Sequence, residues 1–107
     1  MVNYQKICGL LGLATRAGKI VAGTDACLQE IEKHNVKLLI LAVDSADRTK
    51  KIFNEKCKKY NIAVYENLTI DEISKSIGKL NKAVVGVKDK GFAQAINKII
   101  SGGEMIG

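Results

Sequence analysis

The chain has 107 residues, with 17 Lys or Arg against 11 Asp or Glu, giving a net charge of +6 and a pI near 9.3. One domain spanning residues 1–107 is expected at this length, with a core that needs no disulfide or metal. The basic balance favours a polyanionic partner. Apolar content of 47% with 26% charged residues argues against a disordered chain.

Ile7, Leu10, Leu11 and Ala14 recur at helical spacing and predict a first helix over about Tyr4–Arg16, ended by Gly18. Gly9 and Gly12 inside it are read as permitting close helix–sheet approach. Ile20-Val21-Ala22 predicts a short strand. Gly23-Thr24-Asp25 opens a second helix, running to about Lys33 and burying Cys27, Leu28 and Ile31. Lys37–Val43 is a continuous apolar run, which suits a central strand covered on both faces. Asp44 and Ser45 are read as starting a third helix, over about Ala46–Tyr60, with Phe53, Cys57 and Tyr60 inward. Ile62–Tyr65 is a third strand. Thr69-Ile70-Asp71-Glu72 is a capping box, and the short helix after it ends near Gly78. Lys79–Lys82 forms a polar loop, Ala83–Val87 a fourth buried strand, and Gly91–Ile100 a last helix with Phe92, Ile96, Ile99 and Ile100 inward. This alternation of helices and strands predicts an α/β fold built as an α/β/α sandwich.

Cys8, Cys27 and Cys57 form no C-x-x-C pair, and their odd number argues against a disulfide framework. Cys8 and Cys57 read as small core residues in a reducing compartment. The apolar run Ile7–Ala14 is too short for a convincing signal peptide and is followed by Arg16 and Lys19. No segment has the length of a transmembrane helix, so a cytoplasmic protein is expected.

Gly18-Lys19 ends like a phosphate-binding loop, but Leu13 and Ile20 stand where that motif needs a glycine and a hydroxyl. No G-x-G-x-x-G is present. His34 is the single histidine and reads as a helix C-terminal residue. Ser76 and Lys79 fit S-x-x-K but straddle Gly78 and have no partner motif. The carboxylates are scattered. Neither an enzyme, a metal site nor a cofactor is expected. Arg48, Lys50, Lys51, Lys56, Lys58 and Lys59 read as the solvated face of the third helix.

Two segments remain, Arg16–Gln29 and the loop Lys79–Lys82. The helix opening at Gly23 presents backbone N–H groups and a positive dipole end, which accept phosphates or base edges. Arg16 and Lys19 lie just upstream of it in sequence. The loop Lys79-Leu80-Asn81-Lys82 supplies cations, a polar residue and one apolar tip. Loops at one end of such a sheet lie close together, so the two segments are expected to form one surface, suited to a distorted RNA element. Spacing alone leaves open that the first is only a helix cap and the second only a turn.

LGLATRAGK (Leu11–Lys19), GTD (Gly23–Asp25), KLLILAVDSADRTKK (Lys37–Lys51), KCKKYNIAV (Lys56–Val64), SIGK (Ser76–Lys79) and VKDKGFAQAI (Val87–Ile96) together resemble the kink-turn RNA-binding superfamily that includes the archaeal ribosomal protein "L-seven-Ae", and most of all its bacterial YlxQ-type branch. The resemblance spans Leu10–Ile100. It implies a small mixed four-stranded sheet, no catalysis, and binding of a sharply bent helix–bulge–helix with tandem sheared G·A pairs, including ribosomal RNA. The family's recognition segment reads Gly-Thr-Asn-Glu-x-x-Lys. Gly23 and Thr24 match it, while Asp25, Ala26 and Gln29 replace Asn, Glu and Lys. The implied roles are docking by the Gly23–Asp25 backbone, base-edge contacts by Asp25 and Gln29, phosphate contacts by Arg16, Lys19, Lys79 and Lys82, and packing of Leu80, beside Asn81, on an unstacked base. A monomer is expected, bound to structured RNA. The alternative is a protein-interaction module that keeps the fold and has weak or lost RNA binding, which Ala26 and Gln29 favour.

Overall fold

A computed structural model describes residues 2–102. Within them the chain forms α1 (Tyr4–Arg16), β1 (Ile20–Ala22), α2 (Thr24–Glu32), β2 (Leu38–Ala42), α3 (Asp47–Lys59), β3 (Ala63–Leu68), α4 (Ile70–Ile77), β4 (Val84–Val87) and α5 (Lys90–Ile100). The sheet runs β1-β4-β2-β3, with β4 antiparallel to both neighbours and β2 parallel to β3.

Alternation along the strands assigns each face. Leu38, Ile40 and Ala42 of β2, with Val85 and Val87 of β4, pack on α1, α4 and α5 through Ile7, Leu11, Ile73, Ile77 and Ile96. Leu39, Leu41 and Val84 point the other way, onto Cys27 and Ile31 of α2 and Phe53 and Cys57 of α3. Every residue of β2 is buried, as its unbroken apolar run requires. The fold is the expected three-layer α/β/α sandwich on a mixed four-stranded sheet.

Four helix ends are closed by one device. Gly18 (φ 71°), His34 (φ 61°), Asn61 (φ 57°) and Gly78 (φ 69°) adopt left-handed backbone after α1, α2, α3 and α4. At each, the following N–H donates back into the last turn: Lys19 to Ala14, Asn35 to Glu30, Ile62 to Cys57 and Lys79 to Ser74. Gly86 serves packing instead. A Cβ there would lie 3.0 Å from Val21 Cγ1 and 3.2 Å from Val36 Cγ1, so its bare backbone lets those side chains close over the middle of β4.

Some expectations are corrected. Gly12 abuts the Ser76 carbonyl of α4, 3.2 Å from where a Cβ would stand, and Gly9 meets nothing within 4 Å, so neither serves a helix–sheet contact. Asp44 and Ser45 do not cap α3. The Asp44 carboxylate accepts from the Ile70 N–H at the start of α4, and the Ser45 hydroxyl donates to the Ala42 carbonyl. β3 continues to Leu68 because, on the sheet edge, Glu66 can face solvent without breaking the strand.

Cys27 and Cys57 are buried in the α2–α3 layer, and Cys8 is half-buried. Burial pushes the Cys27 thiol up to about 12 and the Cys57 thiol up to about 11, from the ordinary 9.0. The folded chain therefore keeps protons that the unfolded chain releases. This contribution to stability is complete below pH 9.0 and is lost as pH rises through about 11 and 12. Melting temperature followed above that pH should fall more steeply in the native chain than in C27A/C57A. A native thiol-labelling assay should find Cys8 reacting first.

Candidate nucleic-acid interface

β1 ends at Ala22, and the chain turns into α2 through Gly23, whose φ of 96° and ψ of 156° lie in a region essentially restricted to glycine. Its N–H donates to the Val84 carbonyl at 3.0 Å, and its carbonyl accepts from the Cys27 N–H at 3.0 Å. Having no side chain, Gly23 provides no side-chain cap, unlike Asn3, Thr69 and Asp89 at α1, α4 and α5. The first turn of α2 thus keeps its donors directed outward. Thr24 and Asp25 are exposed there, and Asp25 and Gln29 lie one turn apart on the same exposed stripe.

The Lys79–Lys82 loop meets this turn. Lys82 Nζ lies 3.5 Å from where a Gly23 Cβ would stand. The loop is anchored by Ser74, a buried hydroxyl on α4. Ser74 Oγ accepts from the Lys82 N–H at 2.9 Å and reaches the Lys82 carbonyl at 3.5 Å. Asn81 takes left-handed backbone (φ 51°), and Leu80 stands 85% exposed at the tip. The expected union is present for the Gly23–Gln29 part of the first segment and not for Arg16 and Lys19. Ser74 was missed from sequence; its one legible sign is a polar residue on the otherwise apolar face of a short helix, beside Ile73 and Ile77.

Arg16 and Lys19 do not join this edge. The Lys19 carbonyl accepts from the Lys88 N–H at 2.8 Å, which places it beyond the far end of β4. Four residue steps along β1 separate it from Gly23, about 13 Å. The molecule therefore has a Gly23 end and a Lys88 end. Asp25, Asp44 and Asp47 share the Gly23 end with Lys79 and Lys82, so its charge is mixed.

Other sequence signals resolve into structure. Gly18-Lys19 is the left-handed close of α1. Ser76 Oγ donates to the Glu72 carbonyl within α4 at 2.6 Å. His34 is an exposed turn residue whose ring lies 5.3 Å from that of Tyr60. Among the described residues no group of His, Cys, Asp and Glu is placed to hold a metal ion, and no helix is long and apolar enough to cross a membrane.

Residues 5–97 match the Ribosomal protein L7Ae/L30e/S12e/Gadd45 family. The chain belongs to that family. It is 36% identical over 100 residues to the RNA-binding protein YlxQ of Enterococcus faecium, covering 94% of this chain and 96% of the relative. It is 40% identical over 92 residues to the RNA-binding protein YlxQ of Bacillus subtilis (strain 168), covering 86% and 89%. A Bacillus halodurans protein of unknown function superposes with a TM-score of 0.86 at 34% identity, over 90% of this chain and 97% of that one. The Giardia lamblia 15.5kD RNA binding protein shares the fold, with a TM-score of 0.76 at 13% identity over 97% and 89%. Within this L7Ae-type fold, Gly23 and the Lys79–Lys82 loop form the edge where an uncapped helix start meets a cation.

Gly23→Ala tests that edge. A side chain has space there but must adopt the disfavoured backbone, so a stability loss of about 1–3 kcal/mol is expected in urea unfolding. Stability equal to wild type would show that the turn relaxes without consequence.

Proposed function

We propose that this chain binds structured RNA through its Gly23 end and recognises a sharply bent, kink-turn-type element without catalysing a reaction. Membership of the L7Ae-type family and the RNA-binding names of its YlxQ relatives support the RNA partner. The observation that carries the reading is the placement of Lys82 Nζ against the bare backbone of Gly23 at the uncapped start of α2. A bent RNA brings phosphates of two strands close together, and a dipole end beside an ammonium group is suited to such a point. Gly23 and Thr24 dock the backbone, Asp25 and Gln29 touch base edges, and Lys79 and Lys82 contact phosphates. Leu80 packs on an unstacked base beside Asn81. The partner is ribosomal or other structured RNA, bound by a monomer in the cytoplasm.

A gel-shift comparison of a kink-turn with a plain duplex of equal length, at one salt concentration, tests this. Tighter binding of the kink-turn is expected. Equal affinity would reduce the interaction to charge attraction alone.

Ala26 and Gln29 weaken base reading relative to Glu and Lys, which favours a second reading as a protein-interaction module on this fold. A carboxylate accepts hydrogen bonds only, whereas an asparagine amide also donates. D25N/Q29K adds a donor and a cation and removes a negative charge. One good base contact is worth about 1–3 kcal/mol, so the double variant should bind a kink-turn roughly tenfold more tightly. Unchanged affinity in a variant that keeps its circular dichroism would favour the second reading.

A further inference from the structure

The Lys88 end of the sheet carries a row of like charges that the proposed RNA site does not use. Lys19 precedes β1, Lys88 follows β4 and Lys37 precedes β2. Their backbones are tied side by side, since the Lys88 N–H donates to the Lys19 carbonyl and the Lys37 N–H to the Val87 carbonyl, each at 2.8 Å. Alternation puts Lys19 and Lys88 on the face of Val21 and Val84, the α2–α3 side, while Lys37, at the start of β2, borders both faces, beside Val36 on one and Leu38 and Lys90 on the other. Lys88 confirms the α2–α3 direction, because its Nζ reaches Glu30 of α2 at 2.9 Å. Adjacent strands lie about 4.8 Å apart, so the row is roughly 10 Å long. Arg16 and Lys90 extend it, and Arg16, Lys19, Lys37 and Lys90 are all exposed.

Local structure explains only part of this. Arg16 sits in the last turn of α1, where the dipole favours a cation. Lys90 sits in the first turn of α5, which has no acidic residue and where the dipole opposes a cation. Like charges directly opposite across strands are also unfavourable. Glu30 answers Lys88 and Lys33 together, held below the usual carboxylate range chiefly by its hydrogen bond from Lys88. Asp89 is engaged in capping α5 through the Phe92 N–H. The row is thus an unfavourable concentration of charge that a bound polyanion would relieve.

We infer that this end is a second RNA surface, which takes the phosphate backbone of a duplex segment while the Gly23 end holds the bent element. The inference rests on the reading of this chain as an RNA-binding protein. Lysine stems on strand ends read charge and not sequence, so the segment is recognised as A-form backbone. Two surfaces at opposite ends of one sheet would let the protein bridge two helical segments.

Fluorescence polarisation with a plain RNA duplex and with a short-stemmed kink-turn tests this on wild type, K19Q/K37Q/K90Q and K79Q/K82Q. Wild type saturated with the kink-turn should still take up the duplex. K19Q/K37Q/K90Q should lose at least about tenfold in duplex affinity and roughly two to three units of log–log salt slope. It should keep its kink-turn preference and melt no lower than wild type, because a like-charge row is relieved. K19R/K37R/K90R should bind the duplex as wild type does. Duplex affinity within twofold of wild type in the Gln variant, or one-for-one displacement of duplex by kink-turn RNA, would overturn the inference. Absence of duplex binding by wild type would do the same. Loss of kink-turn preference alone would instead count against the Gly23 site, since the duplex titrations read the Lys88 end independently.

Discussion

The backbone of β4 is the constraint on which the molecule's layers and ends depend. It hydrogen-bonds to β1 on one side and β2 on the other. Its Val84 carbonyl holds Gly23, its Val87 carbonyl holds Lys37, and the N–H of Lys88 holds the Lys19 carbonyl. Gly86 at its middle has no side chain, so Val21 and Val36 close over it. A larger residue would push them apart, with a cost typical of overpacking, about 1–3 kcal/mol. Displacement of Val21 would also disturb β1, whose end sets the position of Gly23. Core packing and site geometry are therefore linked through one strand.

The two ends of the sheet differ in kind. At the Gly23 end the polypeptide itself is displayed: a glycine turn, an uncapped helix start and a loop suspended from the Ser74 hydroxyl. Shape and donor placement dominate there, and the charge is mixed. At the opposite end the backbone is closed by left-handed turns at Gly18, His34 and Asn61, and long lysine stems project from it. Flexible cations on a hydrogen-bonded base tolerate variation in what they meet. On the proposed reading, selectivity belongs to the first arrangement and general affinity to the second.

Much of the fold was legible because local signals and burial agree. The run Leu38–Ala42, the capping box at Thr69 and the glycine stops at Gly18 and Gly78 each have a local physical cause that acts as it would in a peptide. What was not legible depends on distant partners. Asp44 is next to α3 in sequence yet caps α4, because β2 and β3 end side by side. Gly12 faces another helix and not the sheet, which periodicity cannot distinguish. Arg16 and Lys19 looked like neighbours of Gly23, but an intervening strand carries the chain away by the full length of β1. The meeting of Gly23 with the Lys79–Lys82 loop follows from fold class, whereas the role of Ser74, which secures that loop, depends on a partner eight residues away across the chain turn.

Strand order also differs from chain order, and this matters while the polypeptide is being made. β4, last of the four strands to emerge, fills the gap between β1 and β2. Until residue 84 and its successors leave the synthesising machinery, β1 has no neighbour and β2 can pair only with β3. The nascent chain must therefore wait with the β1 and β2 edges that β4 will fill still open, and with the Leu38 and Ile40 face lacking the cover of Ile96 and Ile99 from α5. Such non-local closure is slow and leaves apolar edges available to other chains. A ribosome stalled before β4 would hold a species prone to aggregation, and cooperative folding must follow translation of this strand.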